Sequence, residues 1–405
     1  LINPFFMFIA AFSAVIFSFF FGWSSIYPSF SNEVIFFFLV MFLLAGVLGY
    51  FVKKSGIVVF KKISSTTNVI WLLVLVLAGT LFEGIYNKGF PLQFMLQGRD
   101  SGYTEFGIPT VHVILLTLTA FLTTFLFHLV LSSTGKLRLE YIGLCLASCI
   151  PYILEVNRGM FMMVMLNCVT IFMLAIWKKI KIWHIVGAGV FFVIFMFLFG
   201  VMGNARVNTS YQNGRSAFDS ASIMQIGGAT EKFKDSRIPK EFFWTYIYAS
   251  SPIANFQKTV TDGKAPKKIT VPRVNRMIFG ELIPDFIGKR ALANSKYKSV
   301  NIQQITPELN VGTALSKPYL LLGWFGVAIY VLFIFGLAYV YLYFLYKLNS
   351  RFFIVGLAVL NTIFILAIYS NMVQATGLSF QLLYPIFFAL MDSYAEYKNK
   401  LYLRL

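Results

Sequence analysis

Ten apolar runs, each about as long as a bilayer-crossing helix, constrain this chain more than anything else in its sequence. A helix needs about 20 apolar residues to span the hydrocarbon core. Runs of that kind occupy 3–22, 34–52, 68–86, 109–132, 139–156, 159–177, 184–203, 318–346, 352–371 and 375–391. The eighth is long and the last is short, so one is expected to tilt and the other to lie at the interface. The charge supply agrees. Of 405 residues, 58% are apolar and 12% charged, with 46 phenylalanines. A soluble domain is nearer half apolar and a quarter charged, and could not build its surface from so few charges. Soluble enzyme, disordered chain, collagen and disulfide scaffold are thereby excluded. The expected fold is all-α: a polytopic membrane protein of about ten transmembrane helices with one large extracytoplasmic loop. Cys145, Cys149 and Cys168 lie inside apolar runs and read as small packing residues. The first run has no basic flank and no small-residue cleavage site, so no cleavable signal peptide is expected.

Lysines and arginines set the orientation. With the N-terminus in the cytoplasm, the inside segments carry Lys53, Lys54, Lys61, Lys62, Lys136, Arg138, Lys178, Lys179, Lys181, Lys347, Arg351, Lys398, Lys400 and Arg404. The short outside segments hold only Lys88, Arg99 and Arg158. The alternation holds at every short loop and places both ends inside. It divides the chain into spans one to seven (1–203), a large outer loop with short amphipathic helices (204–317), and spans eight to ten with a cytoplasmic tail (318–405). The loop carries 17 Lys and Arg against 8 Asp and Glu, half of the total net charge of +18. Long loops translocate regardless of charge, so this excess does not reverse the topology.

An ionisable group deep in a membrane marks an ion path by default. No Asp, Glu, Lys or Arg stands at the middle of any run; the polar residues at depth are Asn167, Asn361 and His128. That argues against a coupled transporter, which needs a buried carboxylate or a broken helix at the midplane. The charged residues gather instead at the outer ends: Arg99 and Asp100, His112 one turn into span four, Glu155 and Arg158 in a tight turn, then Arg206 and Arg215 after span seven. The loop adds Arg273, Arg276 and Arg290. By this topology all of them share one face and are expected to ring one cavity.

A guanidinium offers phosphate a planar fork and keeps its charge. Lipid diphosphates present phosphate at that depth, and a glycan carried on one has its anomeric carbon beside it. Fixed arginines would stabilise the leaving-group charge most in the transition state. Arg158, Arg206 and Arg215 are the expected diphosphate holders, with His112 or Glu155 as base for an attacking hydroxyl. Arg99, Tyr103, Tyr211, Tyr248, Arg273, Arg276 and Arg290 complete the set as substrate-binding candidates. No Asp-x-Asp pair and no His/Asp/Glu cluster with ligand spacing occurs, so neither a metal nor another cofactor is expected.

Each residue also has a plainer reading. Outer-edge arginines snorkel to headgroups. Glu155 can pair with Arg158, and His112 can be a packing histidine. The stretch Phe242–Tyr248 reads more readily as an interfacial aromatic belt than as a sugar platform. Asn208-Thr209-Ser210 matches a glycosylation sequon.

Four segments taken together resemble the Wzy-type O-antigen and oligosaccharide repeat-unit polymerases of bacterial inner membranes. Gly107-Ile108-Pro109-Thr110-Val111-His112 is similar to the family's Gly-Ile-Pro-x-x-His helix entry, and Asn157-Arg158-Gly159 to its Arg-Gly turn. Tyr248 through Asn255 is similar to Tyr-x-x-x-Pro-x-x-Asn in the large loop. Gly312-Thr313, Tyr319 and Gly323-Trp324-Phe325-Gly326 are similar to its membrane re-entry. Members often carry an acidic residue before the last Gly-x-x-Gly; Leu321 and Leu322 stand there instead, which leaves Glu308 and Glu155 as carboxylate candidates. The resemblance implies a GT-C-like fold, similar to O-antigen ligases, and a multi-pass inner-membrane glycosyltransferase with a periplasmic active face. Its partners would be polyprenyl-diphosphate-linked glycans, the lipid bilayer and a chain-length regulator protein, with no nucleic acid.

Three other readings compete. An O-antigen ligase would place a histidine in the large outer loop, and 204–317 contains none. A lipid-linked oligosaccharide flippase would carry polar groups through the bundle depth. A non-catalytic subunit would use the basic loop only to bind anionic glycans.

Overall fold

In a computed structural model the described residues are 2–64, 68–100, 102, 105–210, 216–263, 265–266, 268–293 and 300–402. They form helices and connecting turns, with one isolated bridge, Ser24 to Ala229, in place of any strand. Chain order runs α1 (Pro4–Phe19), α2 (Asn32–Lys54), α3 (Asn68–Tyr86), α4 (Pro91–Leu96), α5 (Val111–Ser132), α6 (Gly135–Ala147), α7 (Ile150–Leu154), α8 (Arg158–Ile176) and α9 (Ile182–Ser210). The loop holds α10 (Ala221–Ile226), α11 (Glu231–Lys234), α12 (Phe242–Thr261), α13 (Val271–Met277) and α14 (Asp285–Ala291). Then follow α15 (Ser316–Lys347), α16 (Phe353–Leu366), α17 (Thr376–Ser379) and α18 (Leu383–Tyr402).

Among the described residues, seven helical stretches are long and apolar enough to cross a membrane, and α1 and α16 are shorter apolar helices. These nine fall on nine of the ten expected runs. The tenth, 375–391, is not one apolar helix. Its residues form α17, a 3₁₀ turn at Phe380–Leu382 and the first half of α18. Gln381 explains the interruption: its amide donates to Gly377 O at 2.7 Å and its carbonyl accepts from Asn167 inside the bundle. Two other spans are broken. The fifth bends between α6 and α7. The eighth has a non-helical residue, Gly323, at φ 65°, ψ −152°, a conformation open essentially only to glycine.

Capping and dipoles fix the helix ends. Asn3 caps α1, accepting from Phe6 N, and its amide reaches Gly49 O of α2 at 3.1 Å. Ser31 caps α2, with Glu33 in the first turn and Lys53 and Lys54 in the last, matching the helix dipole. α16 is buried on every side from Phe353 to Phe364 and forms the axis of the bundle. α1 lays Phe5, Phe8 and Phe12 against it, and Phe8 meets Phe335 of α15 edge-on at 5.3 Å. α9 does the reverse. Phe191 is 70% exposed, and only Gly200, Gly203, Asn204 and Asn208 are buried along its 29 residues. A helix that presents phenylalanines outward all round belongs in lipid.

α12 is longer and deeper than the short amphipathic helices expected of the loop. It packs on α9 and α1, and Ile253, Ala254 and Phe256 enter the main core. Small residues on α9 permit the approach: a Cβ on Gly203 would lie 2.2 Å from the Trp244 ring.

Candidate functional site

Two adjoining cavities lie where the loop covers one end of the bundle. The larger, about 640 Å³, is lined by Glu281, Asn301, Gln304, Lys317 and Asn371 among others. The smaller, about 480 Å³, is lined by Arg206, Trp244, Tyr248, Ser251 and Glu308. Asn310, Val311 and Tyr369 line both. Both fall in the size range of small-molecule sites, about 300–1,000 Å³.

The walls are built locally. The 3.6-residue period of α12 sorts the aromatic stretch into two faces. Phe243 and Tyr246 pack under Trp23 and Phe233, Trp244 and Tyr248 turn to the smaller cavity, and Ile247 touches both. The expected aromatic belt is therefore half core and half cavity wall. Two turns on, Asn255 holds the segment between the cavities. Its amide donates to Leu309 O and to Val311 O at 2.8 Å, and its carbonyl accepts from Ile305 N at 2.8 Å. Asn208 is buried, with its amide on Ser216 O and Asp219 O, and cannot serve as a glycan acceptor.

Glu281 lies at the edge of the larger cavity in a π-turn, Ile278–Leu282, and is 1% exposed. Asn371 donates to its Oε2 at 3.0 Å and to its backbone carbonyl at 2.7 Å. Tyr330 OH in turn donates to Asn371 Oδ1 at 3.0 Å. Burial raises the Glu281 pKa, partly offset by the Asn371 hydrogen bond and by the charges of Lys317 and Arg276.

A second cluster joins the ends of α3, α5 and α7. Glu83 is fully buried; its Oε1 accepts from Ile108 N at 2.9 Å and its Oε2 lies 2.9 Å from Nδ1 of His112. A carboxylate oxygen of Glu155 completes the group, with all three ligand atoms within 4.8 Å of one another. The chain has no His/Asp/Glu cluster at ligand spacing, yet the fold brings these three together. They sit on separate helices, where spacing along the chain cannot reveal them. The Gly-Ile-Pro-x-x-His entry now has a physical role. Gly107, at φ +98°, lies so close to the His112 ring that a Cβ would fall 2.4 Å from Cγ.

Among the described residues, the candidate arginines do not share one cavity wall. Arg206 and Tyr248 line the smaller cavity together. Arg158 lies elsewhere, exposed at a mainly apolar groove of about 770 Å³ formed with Leu92, Met95, Tyr152, Val156 and Phe161. Among the described residues no ion pair joins it to Glu155; the turn is instead fixed by Asn157, whose side chain accepts from Met160 N. Arg273 donates to the carbonyls of Leu320 and Leu321, just before the break at Gly323. Arg276 packs against Gly280, and Arg290 donates to Thr110 Oγ1 at 2.9 Å, strapping α14 to the start of α5. Arg99 is exposed. Tyr103, Tyr211 and Arg215 lie outside the described residues. His112 and Glu155 line neither loop-end cavity.

Sequence reasoning missed Glu83, Glu281, Lys317 and Asn371. Glu83 had a signal, an acid in the last turn of an apolar run, which is a costly place for a charge. Glu281 had none, since nothing in Phe279-Gly280-Glu281-Leu282 foretells burial.

The fold defines the class: an all-α polytopic membrane protein with a polar, aromatic-walled double cavity under its longest loop. Comparison with protein-family models, curated proteins and solved structures finds no match to this chain.

Proposed function

We propose that the chain is a glycosyltransferase that joins polyprenyl-diphosphate-linked oligosaccharide repeat units on the periplasmic face of a bacterial inner membrane. The observation that carries this reading is the pair of adjoining cavities, one lined by Glu281 and Lys317 and the other by Arg206, Trp244 and Tyr248, with Asn310, Val311 and Tyr369 in both walls. Cations suit a diphosphate, aromatic faces suit sugar rings, and a carboxylate held at a raised pKa suits a base working near neutral pH. The resemblance along about residues 99–326 supplies the substrate class.

In this account the non-reducing-end hydroxyl of a fresh unit attacks the anomeric carbon of the growing chain. The new glycosidic C–O bond forms as the sugar–phosphate C–O bond breaks. The electron pair leaves on polyprenyl diphosphate, and the hydroxyl proton passes to Glu281. Arg206 and Lys317 stabilise the departing charge, which is greatest in the transition state. Arg158, at its apolar groove, contacts lipid phosphate at the membrane surface and not the reacting diphosphate.

Two observations weigh against the rivals. The loop has no histidine of the kind a ligase would use. The polar groups at bundle depth include an uncharged knot: Asn167 bonds Thr124, Gln381 and Thr362. A flippase would want charge there. The test is reconstitution of the purified chain in vesicles with polyprenyl-diphosphate-linked repeat units. A ladder of lengthening lipid-linked glycans supports the reading; unchanged single units refute it.

A further inference from the structure

We propose that Glu83, His112 and Glu155 form a binding site for a divalent transition-metal ion, zinc in the first place, that ties together the ends of α3, α5 and α7. The inference does not depend on the glycosyltransferase reading, because none of the three residues lines the loop-end cavities.

The donor set is the first ground. Two carboxylates and one imidazole give three ligands of the type that holds Zn²⁺ with a fourth position open, and the imidazole disfavours Mg²⁺ and Ca²⁺. The ligand atoms already lie within 4.8 Å of one another, and His112 Nδ1 and Glu83 Oε2 are 2.9 Å apart. Zinc bonds of about 2.0–2.1 Å set tetrahedral ligands roughly 3.3 Å apart, so small side-chain rotations close the site.

The second ground is an unsatisfied group. Glu155 is only 5% exposed, and its Oε2 is buried with no hydrogen-bond partner. Both Glu83 oxygens, by contrast, are engaged: Oε1 takes the Ile108 N–H and Oε2 takes His112. Among the described residues no Lys or Arg forms an ion pair with Glu83 or Glu155. Two buried carboxylates side by side need a counter-charge, and one divalent ion supplies it for both.

The third ground is positioning. A metal ligand needs its outer partners fixed. Glu83 is oriented by the Ile108 N–H, and the His112 ring is seated against Gly107 and meets Phe106 edge-on at 5.7 Å. His112 is 19% exposed, which leaves a path to the open position.

The experiment is a metal count on the full chain in detergent. The protein is stripped with chelator, dialysed against micromolar Zn²⁺, Mn²⁺ or Mg²⁺, and read by elemental analysis and thermal unfolding. A Co²⁺-loaded sample is read by visible absorption. The expected result is one zinc per chain, a raised unfolding temperature with zinc and none with magnesium, and a cobalt spectrum of low coordination number. Glu155→Gln keeps the shape of the corner and removes one charged ligand; about 100-fold weaker zinc binding is expected. His112→Gln should behave alike. Sub-stoichiometric zinc in the wild type overturns the proposal, as does equal binding in both variants, which would put the ion elsewhere. A stable, metal-free wild type further stabilised by Glu155→Gln would identify a proton-sharing cluster and equally overturn it. No transferase assay enters, so failure here and failure of the glycosyltransferase reading are separate results.

Discussion

Asn371 grips Glu281 twice, donating to its carboxylate at 3.0 Å and to its backbone carbonyl at 2.7 Å, across 90 residues of chain. The grip holds a buried carboxylate at the wall of the larger cavity with one oxygen engaged. Glu281→Gln preserves the shape and the Asn371 contact but removes the proposed base. Transfer should fall about 10²- to 10⁴-fold while the unfolding temperature stays near that of the wild type. Wild-type activity should follow the ionised form. Because burial raises this carboxyl above the ordinary glutamate value of 4.5, the rate should fall on acidification at a pH above that value. Initial rates across pH, on both proteins, check this.

Arg206 and Arg158 separate two roles that the sequence merged. Arg206 lines the cavity with Tyr248; Arg158 borders an apolar groove. Arg206→Ala should cost about 100-fold or more in transfer, the scale of losing a group that stabilises transition-state charge. Arg158→Ala should cost less than about tenfold, the scale of an exposed charge. Equal losses would return Arg158 to the reacting centre. Arg206→Lys should restore only part of the rate, because an ammonium lacks the bidentate fork.

Gly323 breaks α15, and Arg273 donates to the carbonyls of Leu320 and Leu321 just before it. Gly323→Ala forces a side chain into a glycine-only conformation and should destabilise the protein by about 1–3 kcal/mol. Arg273→Met leaves two carbonyls short of a donor and should cost roughly 1–3 kcal/mol. Thermal unfolding in detergent measures both. At low temperature Arg273→Met should keep most of its transfer activity, as a fold-supporting residue does and a substrate ligand does not.

The lysine asymmetry predicts sidedness. With Cys145, Cys149 and Cys168 replaced by Ala, Asn310→Cys should react with a membrane-impermeant maleimide in intact cells. Lys179→Cys should react only after permeabilisation. The opposite pattern would invert the topology and move the cavities to the cytoplasmic face.

The helices were legible because membrane burial leaves a long, simple signature: apolar runs and basic punctuation between them. The tenth run misled because apolar length cannot report that Gln381 turns inward and splits the segment. The charges at the outer ends of the runs stand in the sequence, but not how they divide between cavities. Arg206 and Arg158 look alike in sequence, and only the packing of α12 on α9 gives the first a cavity of mixed polar and aromatic wall while α4 and α7 give the second an apolar groove. Glu83 and His112 are 29 residues apart, on different helices, and meet through Gly107 and Ile108. Such a contact belongs to tertiary structure, and no window along the chain contains it. Tyr248-to-Asn255 stands out in the sequence, but its use does not: Asn255 fastens the segment between the cavities, while Tyr248 faces one of them.

Repeat-unit polymerisation is read from a surface-glycan gel of a strain lacking this chain. The ladder should collapse to core plus a single repeat unit, since export and attachment continue without elongation. Restoration by the wild type and not by Glu281→Gln or Arg206→Ala would complete the result. An unchanged ladder would contradict the account, as would loss of every repeat with long lipid-linked chains accumulating, the outcome expected of a ligase.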